Sequence, residues 1–405
     1  MPVLDDYRPI VGDSTIDELK VLGGRFAGRV VRNVNSTATG GGVAEILNRM
    51  VPLLRELGVD AKWDVIKGGE SFFWVTKKMH NALHGAEVDF SPEEISTFLE
   101  TNRKNREEMD CSGDVIFIHD PQPIGLIEKR QEGQRWIWRC HVDVSSPNAD
   151  LWQFLKGFVE RYDAAVFSAP LFSPQLAIRQ YMITPSIDPL SDKNRELSED
   201  EIERALAPYG LDLEKPMVVQ VSRFDFLKDP VGVIEAFRIA KKSADCQLVL
   251  AGGTASDDPE SDMVLKQVME AAGGDPDIHV LTIPPGSDLV INAFQRAATV
   301  VMQKSLREGF GLTVSEALWK GKPVIASAVG GIPLQIKNRY HGMLCHSVEG
   351  AAYALRQVLN SPEFGARLGE NGREHVRQNY LLTRHLKEYL LMFISVGHSE
   401  DVIFL

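Results

Sequence analysis

The chain has 405 residues, of which 44% are hydrophobic and 25% are charged, and its formal net charge is −12. This length exceeds what one hydrophobic core usually organises, so two domains are expected. The acidic balance argues against a nucleic-acid-binding protein, which needs a basic face to neutralise phosphates.

The sequence gives no signal for secretion or for a membrane. Residues 1–6 are acidic and lack the pattern of a signal peptide, and no apolar run approaches the roughly 20 residues that span a bilayer. The cysteines lie far apart without a CxxC pair, which favours reduced thiols over disulfides or a zinc site. They are Cys111, Cys140, Cys246 and Cys345. We expect a cytoplasmic protein with no membrane partner.

Short apolar runs alternate with longer helical patterns, which is typical of α/β domains with parallel sheets. In the first half, strands are predicted at 29–35, 62–66, 114–119, 135–142 and 164–168, and helices at 43–57, 72–83, 92–106 and 151–161. In the second half, strands are predicted at 217–222, 247–251, 279–282, 299–302 and 323–326. Helices are predicted there at 198–207, 313–320, 366–380 and 382–393.

This order predicts two doubly wound, Rossmann-like units in tandem. We place the first domain at 1–187, the second at 188–380, and a C-terminal helix that packs back on the first domain at 381–405. Two open sheets that face each other leave a cleft at the carboxyl ends of their strands, where ligands bind in such folds.

The segment from Glu308 to Glu316 is the most informative part of the chain. It holds two carboxylates with seven residues between them, a Gly-Phe-Gly bend and the start of a helix. Backbone N–H groups at a helix start attract anions, so the carboxylates must face hydroxyls or a cation instead. A ligand with hydroxyls and phosphate, such as a nucleotide sugar, satisfies both. Alternatively, Glu308 caps the helix and Glu316 is a surface residue.

Three glycines, Gly40, Gly41 and Gly42, follow the first predicted strand and precede a helix. Glycine lets the backbone approach a ligand closely, and the helix start favours negative charge. The order suits contact with phosphate or sugar, but it is neither a dinucleotide fingerprint nor a P-loop. A flexible turn is the alternative.

Two cations, Arg223 and Lys228, follow the first strand of the second unit. Because no metal-ligand cluster is evident in the sequence, these two side chains are candidates to stabilise the charge of a leaving diphosphate. The alternative is that Arg223 pairs with Asp225 or Asp229 and that Lys228 is a solvated surface residue.

Polar residues also end the strands of the first unit. His119 and Asp120 follow an apolar strand, where a histidine can donate a hydrogen bond to a sugar hydroxyl. Alternatively, the backbone satisfies His119 and Asp120 caps the next helix. Arg139, His141 and Asp143 share one face of an ideal strand. That face suits acceptor binding or a buried polar ladder.

Together, the two glutamates, the Arg223 and Lys228 pair and the glycine loop resemble the retaining glycosyltransferases of family 4, which have the GT-B fold. The segments 34–45, 118–123 and 138–143 resemble the trehalose-forming members found in archaea and thermophilic bacteria. Those enzymes join glucose from a nucleotide donor to free glucose. The resemblance implies two Rossmann-like domains facing across a deep cleft, the first on the acceptor side and the second binding the nucleotide sugar.

The resemblance also implies roles for single residues. Arg223 and Lys228 would hold the donor diphosphate, which Gly41 and Gly42 would approach from the other domain. Glu316 would bind the ribose hydroxyls and Glu308 the glucosyl hydroxyls. Other implied donor contacts are the backbone N–H groups of Gly311, Leu312 and Thr313 and the side chain of His119 near the primary hydroxyl. Acceptor contacts are expected from Asp120, Arg139, His141 and Asp143.

The resemblance further implies a reversible transfer with no cofactor and no metal at the diphosphate. The expected partners are nucleoside-diphosphate glucose, glucose and trehalose, and a homodimer is the default assembly. We expect front-face attack, in which the acceptor enters on the side that the diphosphate leaves. Two alternatives stay open: another acceptor, as in sucrose, sucrose-phosphate or lipid glycosylation, or a nucleotide-sugar-binding protein without transfer.

Overall fold

The computed structural model describes residues 2–38, 42–253 and 259–397, without the side chains of residues 259 and 260. Its contacts divide the chain into two compact units. Unit 1 comprises the chain up to Pro185 together with the chain from Leu382 onward, and unit 2 is Ser186–Leu381. None of the helices within the described ranges is long and apolar enough to cross a membrane. All four cysteines are buried and carry free thiols.

Unit 1 is built on one parallel six-stranded sheet with helices around it. Its strands are β1 (Val30–Asn35), β2 (Asp60–Val65), β3 (Val115–His119), β4 (Arg135–Arg139), β5 (Ala164–Phe167) and β6 (Arg179–Met182). Its first helices are α1 (Arg8–Val11), α2 (Asp13–Arg25), α3 (Gly42–Glu56), α4 (Glu70–Leu83), α5 (Pro92–Glu108) and α6 (Ala149–Val159). The strand order is β2-β1-β3-β4-β5-β6.

Unit 2 contains a second parallel six-stranded sheet. Its strands are β7 (Met217–Val221), β8 (Gln247–Gly252), β9 (Ile278–Thr282), β10 (Val300–Gln303), β11 (Val324–Ser327) and β12 (Met343–Cys345). Its helices are α7 (Glu199–Leu206), α8 (Pro230–Lys241), α9 (Pro259–Ala272), α10 (Asp288–Ala297), α11 (Leu312–Trp319), α12 (Ile332–Gln335), α13 (Val348–Leu359) and α14 (Pro362–Asn379). The strand order is β12-β11-β10-β7-β8-β9.

The last helix, α15 (Leu382–Gly397), packs against the sheet of unit 1. The ring of Phe117, on β3, lies 5.1 Å from that of Tyr389 and 5.6 Å from that of Phe393. All three side chains are buried, and each buried aromatic contributes about 1.5–3 kcal/mol of transfer free energy. The C-terminal helix is therefore part of the core of unit 1.

Each sheet has one point at which the strand order reverses. In unit 1 the chain adds β2 on one side of β1 and β3 on the other, and in unit 2 it adds β8 on one side of β7 and β10 on the other. Loops that leave such a pair of strands diverge, which leaves a crevice at the carboxyl ends where ligands bind. The predicted site residues lie at or after the carboxyl ends of β1, β3, β4, β7 and β10.

The prediction of two doubly wound parallel units is confirmed. The sequence interpretation missed β6, β12 and α2, and one predicted strand is wrong at its end. β4 stops at Arg139, not at residue 142, so Arg139, His141 and Asp143 do not share a strand face. The reason is the neighbouring residue Asp120, whose left-handed backbone (φ 64°) ends β3. Its carboxylate then accepts the backbone N–H of His141 at 2.8 Å.

Candidate active site

A cation and a carboxylate meet at the reversal point of unit 2. Lys228 lies in the turn after β7, and Glu308 lies in the loop after β10. Nζ of Lys228 is 2.7 Å from Oε2 of Glu308. The lysine side chain is 22% exposed and that of the glutamate is 10% exposed. The solvated-surface alternative for Lys228 is therefore wrong.

The hydrogen bonds to Glu308 are concentrated on one of its oxygens. Besides Lys228, Oε2 accepts Nε2 of Gln303 at 3.3 Å and the hydroxyl of Ser305 at 3.1 Å. Within the described parts of the chain, no group donates to Oε1. A carboxylate has two acceptor oxygens with about four lone-pair positions. The carboxylate is thus fixed in orientation and retains acceptor capacity for a hydroxylated ligand.

Further contacts hold Lys228 in place. The next residue, Asp229, adopts a left-handed conformation (φ 48°) and forms an ion pair with the buried Lys304. The carbonyl of Lys228 accepts Nε2 of Gln220 at 2.8 Å. The turn after β7 and the loop after β10 are also joined by the N–H of Leu306, which donates to the carbonyl of Leu227 at 2.8 Å. The lysine is presented by a rigid pair of loops.

Two glycines are needed around the bend between Glu308 and α11, one for its backbone conformation and the other for a close packing contact. Gly311 has φ 81° and is the residue immediately before α11. Gly330, with φ 55°, packs so tightly that an added Cβ would lie 1.7 Å from the carbonyl oxygen of Glu308. Gln335 donates to the carbonyl of Phe310 at 2.5 Å and accepts the hydroxyl of Ser315 at 2.5 Å. The start of α11, with the N–H groups of Leu312 and Thr313, is therefore fixed in place.

The other two predicted donor residues have different surroundings. Glu316 is buried on α11, 4.0 Å from Nζ of Lys193, so the surface alternative is wrong. Arg223 is mostly exposed and lies 3.6 Å from Asp225, as the structural alternative predicted. The contacts of Glu308 involve Lys228, Gln303 and Ser305 and do not include Arg223. The capping alternative for Glu308 is not observed, since its carboxylate binds these groups instead.

In unit 1, His119 is held by protein groups at both ring nitrogens. Nε2 lies 3.2 Å from Oδ1 of Asn33, and Nδ1 lies 3.1 Å from Nε2 of His141. Because Asn33 offers an oxygen there, we assign the proton of His119 to Nε2, so that His141 donates to Nδ1. His119 is 1% exposed. A sugar hydroxyl can reach its ring only if one of these bonds breaks, whereas the half-buried His141 is nearer to solvent.

Burial sets the protonation of these groups. Burial and the charge of Arg139 lower the pKa of His119 to about 3. The same two causes hold the pKa of His141 well below its ordinary value. Burial raises the pKa of Asp120 to about 6, against the lowering effects of the N–H of His141 and of Arg139. Both histidines are therefore neutral at pH 7, and neutral imidazoles donate or accept hydrogen bonds without adding charge.

The side chains of the remaining predicted residues of unit 1 make other contacts. Arg139 is fully buried and donates to the carbonyl of Phe167 and the hydroxyl of Ser168 at 3.5 and 3.3 Å. Asp143 accepts the N–H of Ser145 at 2.9 Å in a turn. Gly42 is exposed at the start of α3, and an added Cβ would meet nothing within 4 Å.

Gly40 and Gly41 lie outside the described residues. The predicted role of Gly41 therefore stays a prediction. Several site residues escaped the sequence interpretation, namely Asn33, Lys193, Gln303, Lys304, Ser305 and Gly330. Gln303, Lys304 and Ser305 follow the apolar run of β10, which is the signal that identified His119 after β3. The same signal could have identified these three residues from the sequence. The contacts of Asn33 and Lys193, by contrast, depend on residues far away in the sequence.

Comparisons with known proteins identify the family of each unit. Residues 33–174 match the family model "Trehalose synthase, N-terminal domain", and residues 201–375 match "Glycosyl transferases group 1". A trehalose synthase of Pyrococcus horikoshii is 44% identical over 97% of this chain and 96% of its own length. One of Rubrobacter xylanophilus is also 44% identical, over 97% of each chain.

Solved structures are similar in fold. A sucrose-phosphate synthase from Thermosynechococcus elongatus superposes with a TM-score of 0.71 and 19% identity, covering 92% of this chain and all of that one. A UDP-forming α,α-trehalose-phosphate synthase from Burkholderia vietnamiensis gives 0.70 and 17%, covering 92% and 99%. The match of residues 201–375 to the group 1 glycosyl transferases, together with the two parallel doubly wound units, defines a glycosyltransferase of the GT-B fold. The 44% identity extends over nearly the full length of both chains, so this chain belongs to the trehalose synthase family.

Proposed function

We propose that the protein transfers glucose from a nucleoside-diphosphate glucose to free glucose, forming trehalose with retention of configuration and without a metal at the diphosphate. The observation that carries this proposal is the pairing of Lys228 with one oxygen of Glu308, while the other oxygen accepts no hydrogen bond from the described residues. A fixed carboxylate with acceptor capacity suits sugar hydroxyls, and the adjacent ammonium suits a diphosphate.

The donor is assigned to unit 2. Lys228, with its exposed neighbour Arg223, would contact the diphosphate, since Arg223 is held only loosely and can turn toward an anion. Glu308 would accept hydrogen bonds from glucosyl hydroxyls, and Glu316 from the ribose. The backbone N–H groups at the start of α11 would face donor oxygens, where the helix terminus favours negative charge.

In the chemical step, the acceptor hydroxyl oxygen bonds to the anomeric carbon as the bond from that carbon to the phosphate oxygen breaks. The hydroxyl proton passes to an oxygen of the departing diphosphate, so trehalose and the nucleoside diphosphate are the only products. Attack and departure on the same face preserve the configuration. Glu308 is assigned to orientation because Lys228 already engages its charge. Most of the rate enhancement then comes from stabilising the leaving group and positioning the reactants.

The choice of glucose as acceptor is supported by the relatives named trehalose synthases. Unit 1 supplies groups of suitable chemistry, because Asp120 and His141, two of the predicted acceptor contacts, are joined by a hydrogen bond at the ends of β3 and β4. Neutral imidazoles and a carboxyl group suit a neutral sugar better than a sugar phosphate, which would call for cations.

The test is incubation with UDP-, ADP- or GDP-glucose and a panel of acceptors that includes glucose, fructose and fructose 6-phosphate, with identification of the products. A non-reducing glucose disaccharide formed only with free glucose supports the proposal. Formation of a fructose-containing product instead would leave the transferase class intact and replace the acceptor. Tight donor binding with no acceptor-dependent nucleotide release would favour a nucleotide-sugar-binding protein.

Five further measurements refine the outcome. Transfer that continues after treatment with a chelator supports metal independence, and the anomeric signals of the product in NMR spectra report retention. Trehalose supplied with UDP or ADP should regenerate the donor if the transfer is reversible. Trehalose supplied with phosphate tests a phosphorolytic reaction, which is relevant because trehalose phosphorylases are 27–29% identical to this chain. Light scattering tests the proposed homodimer.

A further inference from the structure

A short segment at the start of unit 2 is fastened to two helices by its backbone. This anchor segment, residues 192–196, precedes α7. The buried amide of Asn292, on α10, donates to the carbonyls of Asp192 and Arg195 at 2.9 and 2.8 Å. Arg296 donates to the carbonyls of Asn194 and Arg195 at 3.2 and 2.9 Å.

Helix α11 holds the same segment from its other side. The indole N–H of Trp319 donates to the carbonyl of Asn194 at 3.2 Å, and Nζ of Lys320 donates to Oδ1 of Asn194 at 3.0 Å. Lys320 also donates to the carbonyl of Glu316 at 3.2 Å. These contacts connect the backbone around residue 194 directly to the turn of α11 that bears Glu316.

Lys193 belongs to the anchor segment, and its side chain lies near the carboxylates of Glu316 and Asp288. Its Nζ lies 4.0 Å from Oε1 of Glu316 and 3.9 Å from Oδ1 of Asp288. The side chain is only 20% exposed, and that of Glu316 is 9% exposed. Burial lowers the pKa of Lys320 to about 7, although the charge of Glu316 opposes the shift. Lys320 is therefore only partly charged near pH 7.

We infer that Lys193 positions Glu316 for the ribose hydroxyls of a bound nucleoside diphosphate. This inference rests on the proposed function, in which Glu316 binds the ribose. The ammonium lies 4.0 Å from one carboxylate oxygen, and this attraction favours one orientation of the carboxylate. The carboxylate can then accept hydrogen bonds from the two neighbouring ribose hydroxyls in one orientation. Lys193 acts through Glu316 and is a positioning residue.

The test compares binding of UDP with dUDP, and of ADP with dADP, by calorimetry. In the wild-type protein, the ribonucleotide should bind about tenfold more tightly than its 2′-deoxy form, as expected for one charge-assisted hydrogen bond. Lys193→Met should weaken ribonucleotide binding about tenfold and bring the ratio between the two nucleotides close to one. Lys193→Arg should restore most of the preference.

Lys215→Met is the matched control. Lys215 is also 20% exposed and lies 2.8 Å from each of Asp245 and Asp277, but it precedes β7 at the opposite end of the strand from Lys228. The preference for ribonucleotides should persist in this variant. Thermal unfolding followed by circular dichroism reports the folding of all variants.

A Lys193→Met variant that binds both nucleotides more weakly but keeps the wild-type ratio would overturn the inference, because a merely structural role predicts that pattern. A wild-type protein that does not distinguish the two sugars would overturn it as well. The wild type could prefer ribonucleotides, and Lys193→Met could lose that preference, while the wild type transfers no glucose. That result would support the inference and refute the proposed function. Absence of nucleoside diphosphate binding would refute both.

Discussion

Replacement of Lys228 by alanine tests the core of the donor site. The change removes the ammonium that lies 2.7 Å from Glu308 and leaves Gln303 and Ser305 as donors to the same oxygen. If Lys228 stabilises the leaving diphosphate, its loss removes a contact that strengthens as charge develops. Removal of one such donor typically lowers kcat by about 10²–10³-fold, or about 2.7–4 kcal/mol.

The fold should tolerate this change. The lysine is partly exposed, and Glu308 retains two polar donors, so the free energy of unfolding should fall by only about 1 kcal/mol. The assay measures acceptor-dependent release of nucleoside diphosphate at saturating glucose, with urea denaturation to measure stability. Full kcat in a well-folded Lys228→Ala variant would refute the diphosphate role.

Lys241→Ala provides the matched control for that experiment. Lys241 is 28% exposed and forms ion pairs with Asp275 at 2.8 Å and with Asp277 at 2.5 Å in the same unit. It ends α8, away from the turn after β7 that bears Lys228. Its replacement should leave kcat unchanged. Equal losses of activity in both variants would indicate a general effect of removing a partly exposed ion pair.

The remaining predictions concern two glycines and a pair of histidines. Gly42→Ala should fold as well as the wild type because the new Cβ meets open space. If Gly42 approaches the donor diphosphate, as the family resemblance implies, the change should raise the donor KM about tenfold; an unchanged KM would refute that contact. Gly330→Ala should lower the free energy of unfolding by about 2 kcal/mol or more, measured in urea, since its Cβ would meet Glu308. The buried histidines bind protons more readily in the unfolded chain than in the folded one. Their contribution to the free energy of unfolding is therefore complete above about pH 6.5 and is lost as the pH falls toward about 3, the pKa of His119. The melting temperature should therefore decrease as the pH is lowered from 6.5. His141→Asn should make this decrease less steep. Equal slopes of melting temperature against pH in the variant and the wild type would contradict the assignment of His141 as neutral.

Asp120 works against this pH dependence. The pKa of Asp120 is raised from its ordinary value of 3.8 to about 6. The contribution of this carboxyl group to the free energy of unfolding is therefore complete below pH 3.8 and is lost as the pH rises through 6. His385, on α15, is buried as well, and its pKa is lowered. Among these groups the net effect of acidification is still a loss of stability, since three histidines have lowered pKa values and only one carboxyl group has a raised one.

The sheets were predictable because buried parallel strands leave continuous apolar runs in the sequence. β3 and β7 are such runs, and each is buried along its whole length. β6 has no comparable signal, because its side chains are half-buried or exposed at the edge of the sheet. The end of β4 could not be foreseen, since it depends on the left-handed backbone of Asp120, which is distant in sequence.

The site was predictable where polar residues lie in the segment that follows a strand, as with Lys228 after β7. The partner of that lysine, Glu308, lies 80 residues further along the chain, and only the adjacency of β7 and β10 brings the two together. The same holds for Lys193, whose approach to Glu316 depends on hydrogen bonds from α10 and α11 to the anchor segment. Sequence patterns identified the chemical groups, and the fold determined which of them meet.

Glucose labelled with ¹³C at its anomeric carbon provides the most direct test of the proposed reaction. The protein is incubated with this acceptor and with unlabelled UDP-, ADP- or GDP-glucose, and the product is followed by NMR. The account predicts a non-reducing disaccharide in which a labelled anomeric carbon is joined through oxygen to an unlabelled one, both in the α configuration. Labelled glucose that stays unreacted while the donor is intact or only hydrolysed would contradict it.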